Sequence, residues 1–251
     1  MSLRLYLAGR TCIDSGRRLV DGFPGVQGRV VFTMLALDHE RVFSRDEIAE
    51  ELWREVRPRA WDSAVRAIVS KLRGLLDVSG LDGSSALTGA FGYYQFHLPP
   101  GTWLDLEAAA DAAHRAESFL RADRAPDACG WALAARAIAR RPLLPGAEGP
   151  WVTRTRAKLR EVNVRALECL AGIWISGGDL SLAVSDAQEA VALEPFRETA
   201  HRLLMRAHQA AGNRAEALRA YERCRTLLAE ELGVDPASET YALFQELLRS
   251  A

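Results

Sequence analysis

Residues 43–76, FSRDEIAEELWREVRPRAWDSAVRAIVSKLRGLL, decide the fold of the first part of the chain. Ser44 stands three residues before Glu47, so each side chain can accept a hydrogen bond from the other residue's backbone N–H at the start of a helix. Phe43 and Ile48 flank this cap as a hydrophobic staple. The pattern predicts a helix over Arg45–Trp53.

The same stretch predicts a further helix after Pro58, over Ala60–Leu76. Its apolar side chains recur at spacings of four, three and four residues, which is typical of a helix with one buried face: Val65, Val69, Leu72 and Leu76. The opposite face is small, hydroxylated and basic, and it carries Ser63, Ala67, Ser70, Lys71 and Gly74, with Arg66 and Arg73 on one flank. No carboxylate lies between Ser63 and Leu76. Such a face suits a DNA major groove, which is about 12 Å wide.

The flanking segments complete a recognisable order of elements. Alternating Leu3, Leu5 and Leu7 indicate a strand with one buried face, and the compact apolar run 27–37 indicates a first helix. A polar loop over Asp77–Ser85 precedes ALTGAFGYYQFHL, residues 86–98, which is typical of a glycine-punctuated β-hairpin. Strands, three helices and a terminal hairpin predict an α+β winged helix-turn-helix domain over residues 1–100.

Composition is that of a water-soluble globular protein with room for two domains in 251 residues: 49% of residues are hydrophobic and 26% are charged. No run approaches the roughly 18 apolar residues of a membrane span, and the N-terminus lacks the layout of a signal peptide. We therefore expect a cytoplasmic protein with no membrane partner. The four cysteines are far apart, and we expect them to be reduced thiols.

Positive charge is concentrated between residues 54 and 73. This stretch contains six basic and two acidic side chains, which is an excess of four positive charges in a chain whose net charge is −1. This indicates a phosphate-binding surface, although the charge pattern alone fits a solvated surface helix equally well. Arginine supplies nearly all the positive charge of the chain, and with the abundant alanine this suggests a GC-rich genome, such as an actinobacterial one.

Three runs in this region resemble a known domain: FSRDEIAEELW (43–53), AVRAIVSKLRGLL (64–76) and GYYQFHL (92–98). They look like the OmpR/PhoB-type winged helix, in the version found in the Streptomyces antibiotic regulatory protein (SARP) family. The resemblance implies that the third helix enters the major groove and that the hairpin wing approaches the neighbouring minor groove. It implies base-facing or near-base positions for Ser63, Ala64, Ala67, Ile68 and Lys71, and phosphate contacts for Arg66, Ser70, Arg73 and Tyr93.

The hairpin departs from the pattern of that family. Gly89-Ala90-Phe91 stands where relatives often carry arginine ahead of the Gly-Tyr pair, and Tyr94 stands where arginine often follows it. Reading of the minor groove by an arginine is therefore not expected here. Ala64, Ala67 and Ile68 offer apolar contacts, such as those to thymine methyl groups, so few hydrogen bonds would select the sequence.

The remaining residues carry an internal repeat. Ala171, Trp174, Gly178, Ala183, Ala187 and Ala190 are matched 34 residues later by Met205, His208, Gly212, Ala217, Tyr221 and Cys224. A period of 34, with small residues where helices touch and glycine in the turn, is the tetratricopeptide (TPR) signature. A weaker unit runs from Ala116 to Ala135, and the loop 140–149 and a long helix from Trp151 interrupt the array. We predict an all-α, TPR-like domain over residues 103–251.

This second region resembles the bacterial transcriptional activator domain that follows the winged helix in SARP proteins. The most specific segments are LEPFRE (193–198), HRLLM (201–205) and EELGVDP (230–236). The resemblance implies an activator of antibiotic biosynthesis genes that binds double-stranded promoter DNA near the −35 region. It also implies contact with the RNA polymerase holoenzyme and a second protomer beside the first on direct repeats.

Motifs of catalysis are missing from the sequence. It contains no GxxxxGK[ST], GxGxxG, HExxH or GxSxG, so we expect no enzyme activity and no cofactor. His201 and His208 share a helix face but lack further ligands at metal spacing, so no metal site is predicted. The alternative to a DNA-binding activator is a TPR-type protein-interaction adaptor whose winged helix does not bind DNA.

Overall fold

The computed structural model of the chain describes residues 3–54 and 56–249, and most of these residues are helical. They form two compact units. The first contains the described residues up to Ala108 together with Ile138–Leu159, and the second contains Ala109–Ala137 together with the described residues from Arg160 onward. The sequence predicts a division at residues 100–103. The compact units differ from that division because the segment 138–159 packs within the first unit.

A four-stranded sheet begins the first unit. Its strands are β1 (Arg4–Tyr6), β2 (Cys12–Asp14), β3 (Leu19–Val20) and a late strand over Trp103–Leu104, in the order β3-β2-β1 followed by the late strand. Leu5 and Leu7 are fully buried, as the leucine alternation predicts, and Ile13 on β2 is fully buried as well. The late strand pairs in parallel with β1, with Leu5 opposite Leu104. No strand is predicted there, because two residues are too few to show an alternation.

The side chain of Asp105 binds the backbone that directly follows β1. Its carboxylate, which is fully buried, accepts hydrogen bonds from the backbone N–H groups of Leu7, at 2.9 and 3.0 Å, and Ala8, at 3.0 Å. Burial raises the pKa of Asp105, while these N–H groups act in the opposite direction. The carboxylate therefore satisfies backbone donors that the short β1 strand leaves unpaired.

The variant Asp105→Asn is expected to destabilise the first unit by about 1–3 kcal/mol. An amide of the same size replaces one acceptor oxygen with an NH₂ group, which would face N–H groups that also donate. The free energy of unfolding from urea titration followed by circular dichroism measures the loss. Asp111→Asn, at an exposed position on the helix that begins at Asp105, is the matched control and should change stability little; equal stability of the two variants would contradict this role of Asp105.

Three helices follow the first sheet strands: α1 (Gly25–Leu37), α2 (Arg45–Trp53) and α3 (Trp61–Ser79). The bounds of α2 are those predicted, and its capping box is formed. Glu47 N donates to Ser44 Oγ at 3.1 Å, and Ser44 N donates to Glu47 Oε2 at 2.8 Å. Phe43 and Ile48, the predicted staple, are buried.

Helix α3 extends beyond the predicted end at Leu76. It ends at Gly80, whose φ of 92° lies in the left-handed region that favours glycine. The predicted loop over Asp77–Ser85 is therefore partly helical, since the last turn of α3 and a short helix, α4 (Gly83–Ala86), occupy it. Asp82 caps α4 by accepting from the backbone N–H groups of Ser84 and Ser85.

A second sheet has three strands, β4 (Phe43–Ser44), β5 (Leu87–Ala90) and β6 (Tyr93–Phe96), in the order β4-β6-β5. The late strand of the first sheet is accordingly β7 (Trp103–Leu104). Strands β5 and β6 form the predicted hairpin, with Leu87 opposite Phe96 and Ala90 opposite Tyr93. Strand β4 joins the hairpin to the start of α2, because Ser44 pairs with Tyr93 and is also the cap of α2. The hairpin is therefore held close to the N-terminus of α2.

The segment 138–159 completes the first unit. The backbone N–H groups of Trp151 and Val152 donate to the buried carboxylate of Glu51 at 2.7 and 2.9 Å, and the indole N–H of Trp151 donates to Asp38 at 2.8 Å. Gly149 lies directly against Glu51, since a Cβ on it would overlap that carboxylate. Glu51 therefore caps the N-terminus of the long helix that starts at Pro150.

The regular elements of the second unit, within its described residues, are all helices. Its first part comes from three helices that each have one end in the first unit, α5 (Asp105–Arg121), α6 (Ala125–Ala139) and α7 (Pro150–Gly177). The rest of the unit consists of α8 (Leu180–Leu193), α9 (Glu198–Ala210), α10 (Arg214–Leu232) and α11 (Ser238–Arg249). The predicted loop 140–149 lies between α6 and α7. No helix in residues 3–54 and 56–249 is long and apolar enough to cross a membrane.

Backbone geometry repeats with the predicted period of 34 residues. Gly178 and Gly212 have φ of 85° and 74°, and each begins a turn closed by an equivalent hydrogen bond, Asp179 N to Trp174 O in the first and Asn213 N to His208 O in the second. The small residues Ala183 and Ala217 are fully buried after these turns. The repeat predicted from the sequence is confirmed.

The weaker repeat unit, from Ala116 to Ala135, contains the same kind of turn but has no glycine in it. Asp123, with φ of 56°, stands where the other two turns have glycine, and Arg124 N donates to Phe119 O as the equivalent bond. Ala116 and Ala132 are fully buried on its two helices. Because asparagine and aspartate tolerate the left-handed region better than most residues, the missing glycine does not prevent this turn.

Arg197 of the LEPFRE segment forms ion pairs with two glutamates of the second unit. Arg197 binds Glu168 through Nε and Nη2 at 2.9 and 2.8 Å, and Glu161 through Nη1 at 2.7 Å. These carboxylates raise the pKa of Arg197 further above its ordinary value, against the opposing effect of its burial. The arginine fastens the α8–α9 connection to α7.

Candidate nucleic-acid interface

Helix α3 presents the two faces that the sequence predicts. Val65, Val69, Leu72 and Leu76 are buried, with at most 1% of each residue exposed. The opposite face consists of solvent-exposed residues: Ser63, Arg66, Ala67, Ser70, Lys71 and Gly74. Ala64 and Arg73 are half-buried at the edges. Within the described residues, Lys71 forms no ion pair, so its ammonium group is free to bind an anion.

Ile68 is an exception and requires a correction. The resemblance implies a near-base position for it, but its side chain is buried, with 8% of the residue exposed. Ile68 lies three residues after Val65 and four before Leu72, which places it on the inward face with Leu75. The apolar stripe of α3 is therefore wider than the predicted one, and Ile68 belongs to the core.

The hairpin β5–β6, called the wing below, ends in a two-residue turn. Phe91 and Gly92 both have positive φ, 51° and 85°, as a type I′ hairpin turn requires. Tyr93 is half-exposed beside the turn, and Tyr94 is buried. A Cβ on Gly89 would lie 2.7 Å from the Tyr94 ring, so Tyr94 fills the space that a side chain at position 89 would need.

Three arginines surround a shallow concavity between α3 and the wing. Arg45 and Arg66 both pair with Asp62, and Arg73 donates from Nε to the backbone oxygen of Leu87 at 2.9 Å. The concavity is lined by these arginines together with Phe91, Gly92 and Tyr93. One carboxylate, Asp62, offsets three guanidinium groups there, so the concavity is positively charged.

Carboxylates outside residues 54–73 offset part of the positive charge of that stretch. Arg57 donates to Asp46 and to Glu50, both at 2.9 Å, and its guanidinium stands 5.4 Å from the centre of the Trp61 ring. Hydrogen bonds to these carboxylates raise the pKa of Arg57. Arg57 therefore fastens α2 to the start of α3, and these two carboxylates offset its charge.

Arg45 and Phe91 are functional candidates that the sequence reasoning leaves out. Arg45 reaches the concavity because its backbone N–H donates to Gly92 O at 2.9 Å, which holds α2 against the wing turn. Phe91 is fully exposed. The unusual Phe-Gly pair at a two-residue hairpin is the signal in the sequence, since asparagine or aspartate normally precedes glycine in such a turn.

Two histidines and two cysteines of the second unit that could take part in chemistry are buried in packed positions. His201 and His208 are buried at packing positions, and burial lowers the pKa of each. Desolvation raises the pKa of Cys169 to about 12 and that of Cys224 to about 11, so both thiols stay protonated at neutral pH. Residues 3–54 and 56–249 contain no group of three or more His, Cys, Asp or Glu able to hold a metal ion.

Comparison with known proteins gives a consistent set of relatives. The model of the bacterial transcriptional activator domain family matches residues 104–248. Regulatory protein AfsR of Streptomyces coelicolor is 35% identical over 242 residues, and transcriptional regulatory protein EmbR of Mycobacterium tuberculosis is 28% identical over 235 residues. A solved structure, Mycobacterium tuberculosis EmbR in complex with a low-affinity phosphopeptide, matches with a TM-score of 0.83 and 26% identity.

These relatives are longer than the chain. The AfsR match covers 94% of this chain but 23% of AfsR, and the EmbR match covers 92% of this chain and 60% of EmbR. The EmbR structure is matched over 99% of this chain and 65% of that chain. Both the helical second region and the region that carries α3 and the wing therefore have counterparts in transcriptional regulators.

Proposed function

The chain belongs to the family of transcriptional activators that carry the bacterial transcriptional activator domain, of the SARP type, and from this premise we propose that it binds promoter DNA through α3 and the wing. The first unit acts as a winged helix in this proposal. Helix α3 lies in the major groove, and the wing lies beside the phosphate backbone that borders that groove. The bound protein recruits RNA polymerase to the promoter.

One observation carries the proposal: from Ser63 to Gly74, the exposed face of α3 offers hydroxyl, amino and guanidinium groups without a carboxylate. Ser63, Ser70 and Lys71 are exposed along it, and Ala67 leaves room for close approach of the helix to base edges. Hydroxyl and amino groups donate to base acceptors and phosphate oxygens, whereas a carboxylate would repel phosphates. A protein-interaction adaptor has no need for this combination.

The arginines of the concavity supply the contacts that do not depend on sequence. Arg66 and Arg73 of α3 and Arg45 of α2 line the space between α3 and the wing. In the proposal, the phosphate backbone passes through this space. Tyr93, half-exposed at the wing, can donate its hydroxyl to a phosphate oxygen. These groups position the helix, and base contacts from α3 select the site with few hydrogen bonds.

Activation is assigned to the helical second unit. Helical repeats form extended surfaces that bind partner proteins, and a surface of this unit contacts RNA polymerase in the proposal. Two protomers bind side by side on direct repeats near the −35 region. Their half-sites lie about 10–10.5 base pairs apart, so that both α3 helices face the same side of the duplex.

Footprinting on the promoters that flank the gene of this protein, followed by transcription in a reconstituted system, tests the proposal. The expected result is protection of two half-sites with one-turn spacing and transcription that depends on the protein. Transcription that responds to the protein without any protected DNA would support the adaptor alternative and refute the DNA-binding proposal.

Replacing Lys71 by alanine is expected to weaken DNA binding and to make the logarithm of affinity depend less on the logarithm of salt concentration, by about 0.9 in slope. One ammonium group that displaces one counterion would be lost, while the fold stays intact by circular dichroism because Lys71 is exposed. Lys158→Ala removes the other lysine of the chain, also at an exposed position, and should leave both quantities unchanged. Equal behaviour of the two variants would remove Lys71 from the interface.

A further inference from the structure

The tip of the wing carries an aromatic side chain in an unfavourable position. Phe91 is fully exposed, with the highest exposure among the large apolar side chains that the structure describes. Its φ of 51° lies in the left-handed region, where a bulky residue is a rare outlier and strains the backbone. Packing does not explain Phe91, because a fully exposed ring gains nothing from the core. Asparagine would form the same turn with less strain.

From this arrangement we propose that Phe91 is an aromatic wedge that enters the DNA minor groove and partly unstacks one base step. This inference rests on the proposed DNA binding and adds the mode of recognition at the wing. It makes flexible pyrimidine–purine steps the preferred sequence at that position, since these steps open and kink most easily. The wing thus selects DNA by its deformability, without a hydrogen bond to a base.

The charges around the wing identify a nucleic acid as the occupant. Arg45, Arg66 and Arg73 line the concavity between α3 and the turn, and Asp62 is the single carboxylate that offsets them there. Asp46 lines a neighbouring concavity beside the turn, and its carboxylate binds Arg57. A phosphate backbone fits a cationic concavity of this kind, whereas an apolar protein partner does not.

The path of the duplex then places Phe91 at the minor groove. With α3 in the major groove, the next feature beyond one sugar–phosphate backbone is the minor groove. Arg73 stands between the two elements, since it belongs to α3 and donates to Leu87 O in the first wing strand. Phe91 lies in the turn at the end of the hairpin, beside these cations, and apolar wedges that enter the minor groove kink the duplex toward the major groove.

Substitution at position 91 separates this role from a structural one. Phe91→Asn removes the ring and introduces a residue that favours the turn, so the thermal midpoint should stay equal or rise. Affinity for a duplex selected from random sequences by the wild-type chain should fall about tenfold, because stacking on an aromatic side chain contributes about 1–3 kcal/mol. The slope of log affinity against log salt should not change, since the ring releases no counterion.

A fluorescent base reports the unstacking directly. 2-Aminopurine is placed at each purine of the selected duplex in turn, and its emission rises when the base loses its stacking partner. We expect a rise at one step with the wild-type chain and with Phe91→Leu, which keeps an apolar wedge and should bind within about threefold of the wild type. Phe91→Asn should produce no rise.

The outcomes distinguish this inference from the function on which it rests. Unchanged affinity of Phe91→Asn, or the same emission with all three proteins, would refute the wedge and leave the DNA-binding proposal standing. Unchanged DNA binding with reduced transcription would assign Phe91 to a contact with polymerase and would also refute the wedge. A wild-type chain that enriches no duplex during the selection would refute the proposed function, and the wedge with it.

Discussion

The Val69→Asp chain is expected to lose the folded first unit, with a destabilisation of roughly 3–5 kcal/mol. Val69 is 1% exposed, on the inward face of α3 together with Val65 and Leu72. An aspartate there either buries an unpaired charge or takes up a proton, and both states are costly in an apolar core. A typical domain is stable by about 5–15 kcal/mol, so a loss of this size removes much of that stability. Thermal unfolding followed by circular dichroism measures it.

Ala67→Asp is the matched control, with the same new side chain two residues earlier. Ala67 is exposed on the opposite face of α3, so the unfolding midpoint should stay within a few degrees of the wild type. DNA binding should nevertheless be lost, because the carboxylate meets phosphates and base acceptors. A folded, DNA-binding Val69→Asp protein, or an unfolded Ala67→Asp protein, would show that the two faces of α3 are assigned the wrong way round.

Gly149→Ala is expected to destabilise the first unit by roughly 2–5 kcal/mol, although it adds a single methyl group. The added Cβ would overlap the carboxylate of Glu51 and lie 2.8 Å from the backbone oxygen of the same residue. Glu51 must then move, and the N–H groups of Trp151 and Val152 lose the acceptor that caps α7. Chemical denaturation measures the free energy of unfolding.

Gly130→Ala provides the comparison for that experiment. Gly130 is exposed within α6, and a Cβ there would have no neighbour within 4 Å. Alanine favours a helix interior over glycine by about 1 kcal/mol, so this variant should be equally stable or more stable. If Gly149→Ala unfolds at the same denaturant concentration as Gly130→Ala, the close packing of Glu51 against residue 149 is not important for stability.

Local signals predict much of the fold. The Ser44–Glu47 cap fixes the start of α2, because both hydrogen bonds form between residues three apart. The 34-residue repeat fixes the positions of Gly178 and Gly212, because the same turn requires positive φ in each. Contacts between distant residues could not be predicted in this way. The pairing of Leu5 with Leu104 and the binding of Glu51 to Trp151 join residues about 100 positions apart, and neither has a local pattern.

In the candidate interface too, the positions that follow from helical periodicity are predicted from the sequence, and those that depend on contacts between distant residues are not. Helical periodicity assigns Ser63, Ala67, Ser70 and Lys71 to the outer face of α3, where the structure has them. The near-base position of Ile68 is implied by the family resemblance, and the structure buries this residue; the four apolar positions of the predicted stripe define the direction of the buried face but not its width. Helical periodicity does not predict Arg45 or Phe91, because their relation to α3 arises from the pairing of β4 with β6, which connects residues about 50 positions apart.

The salt dependence of DNA binding by the full chain tests the central claim most directly, namely that the exposed face of α3 and the arginines beside it bind a duplex. Affinity for the selected duplex is measured at several salt concentrations. Four cations, Arg45, Arg66, Lys71 and Arg73, predict a slope of log affinity against log salt of about −3 to −4. A slope near zero would contradict the claim, because the surface would then displace no counterions from DNA.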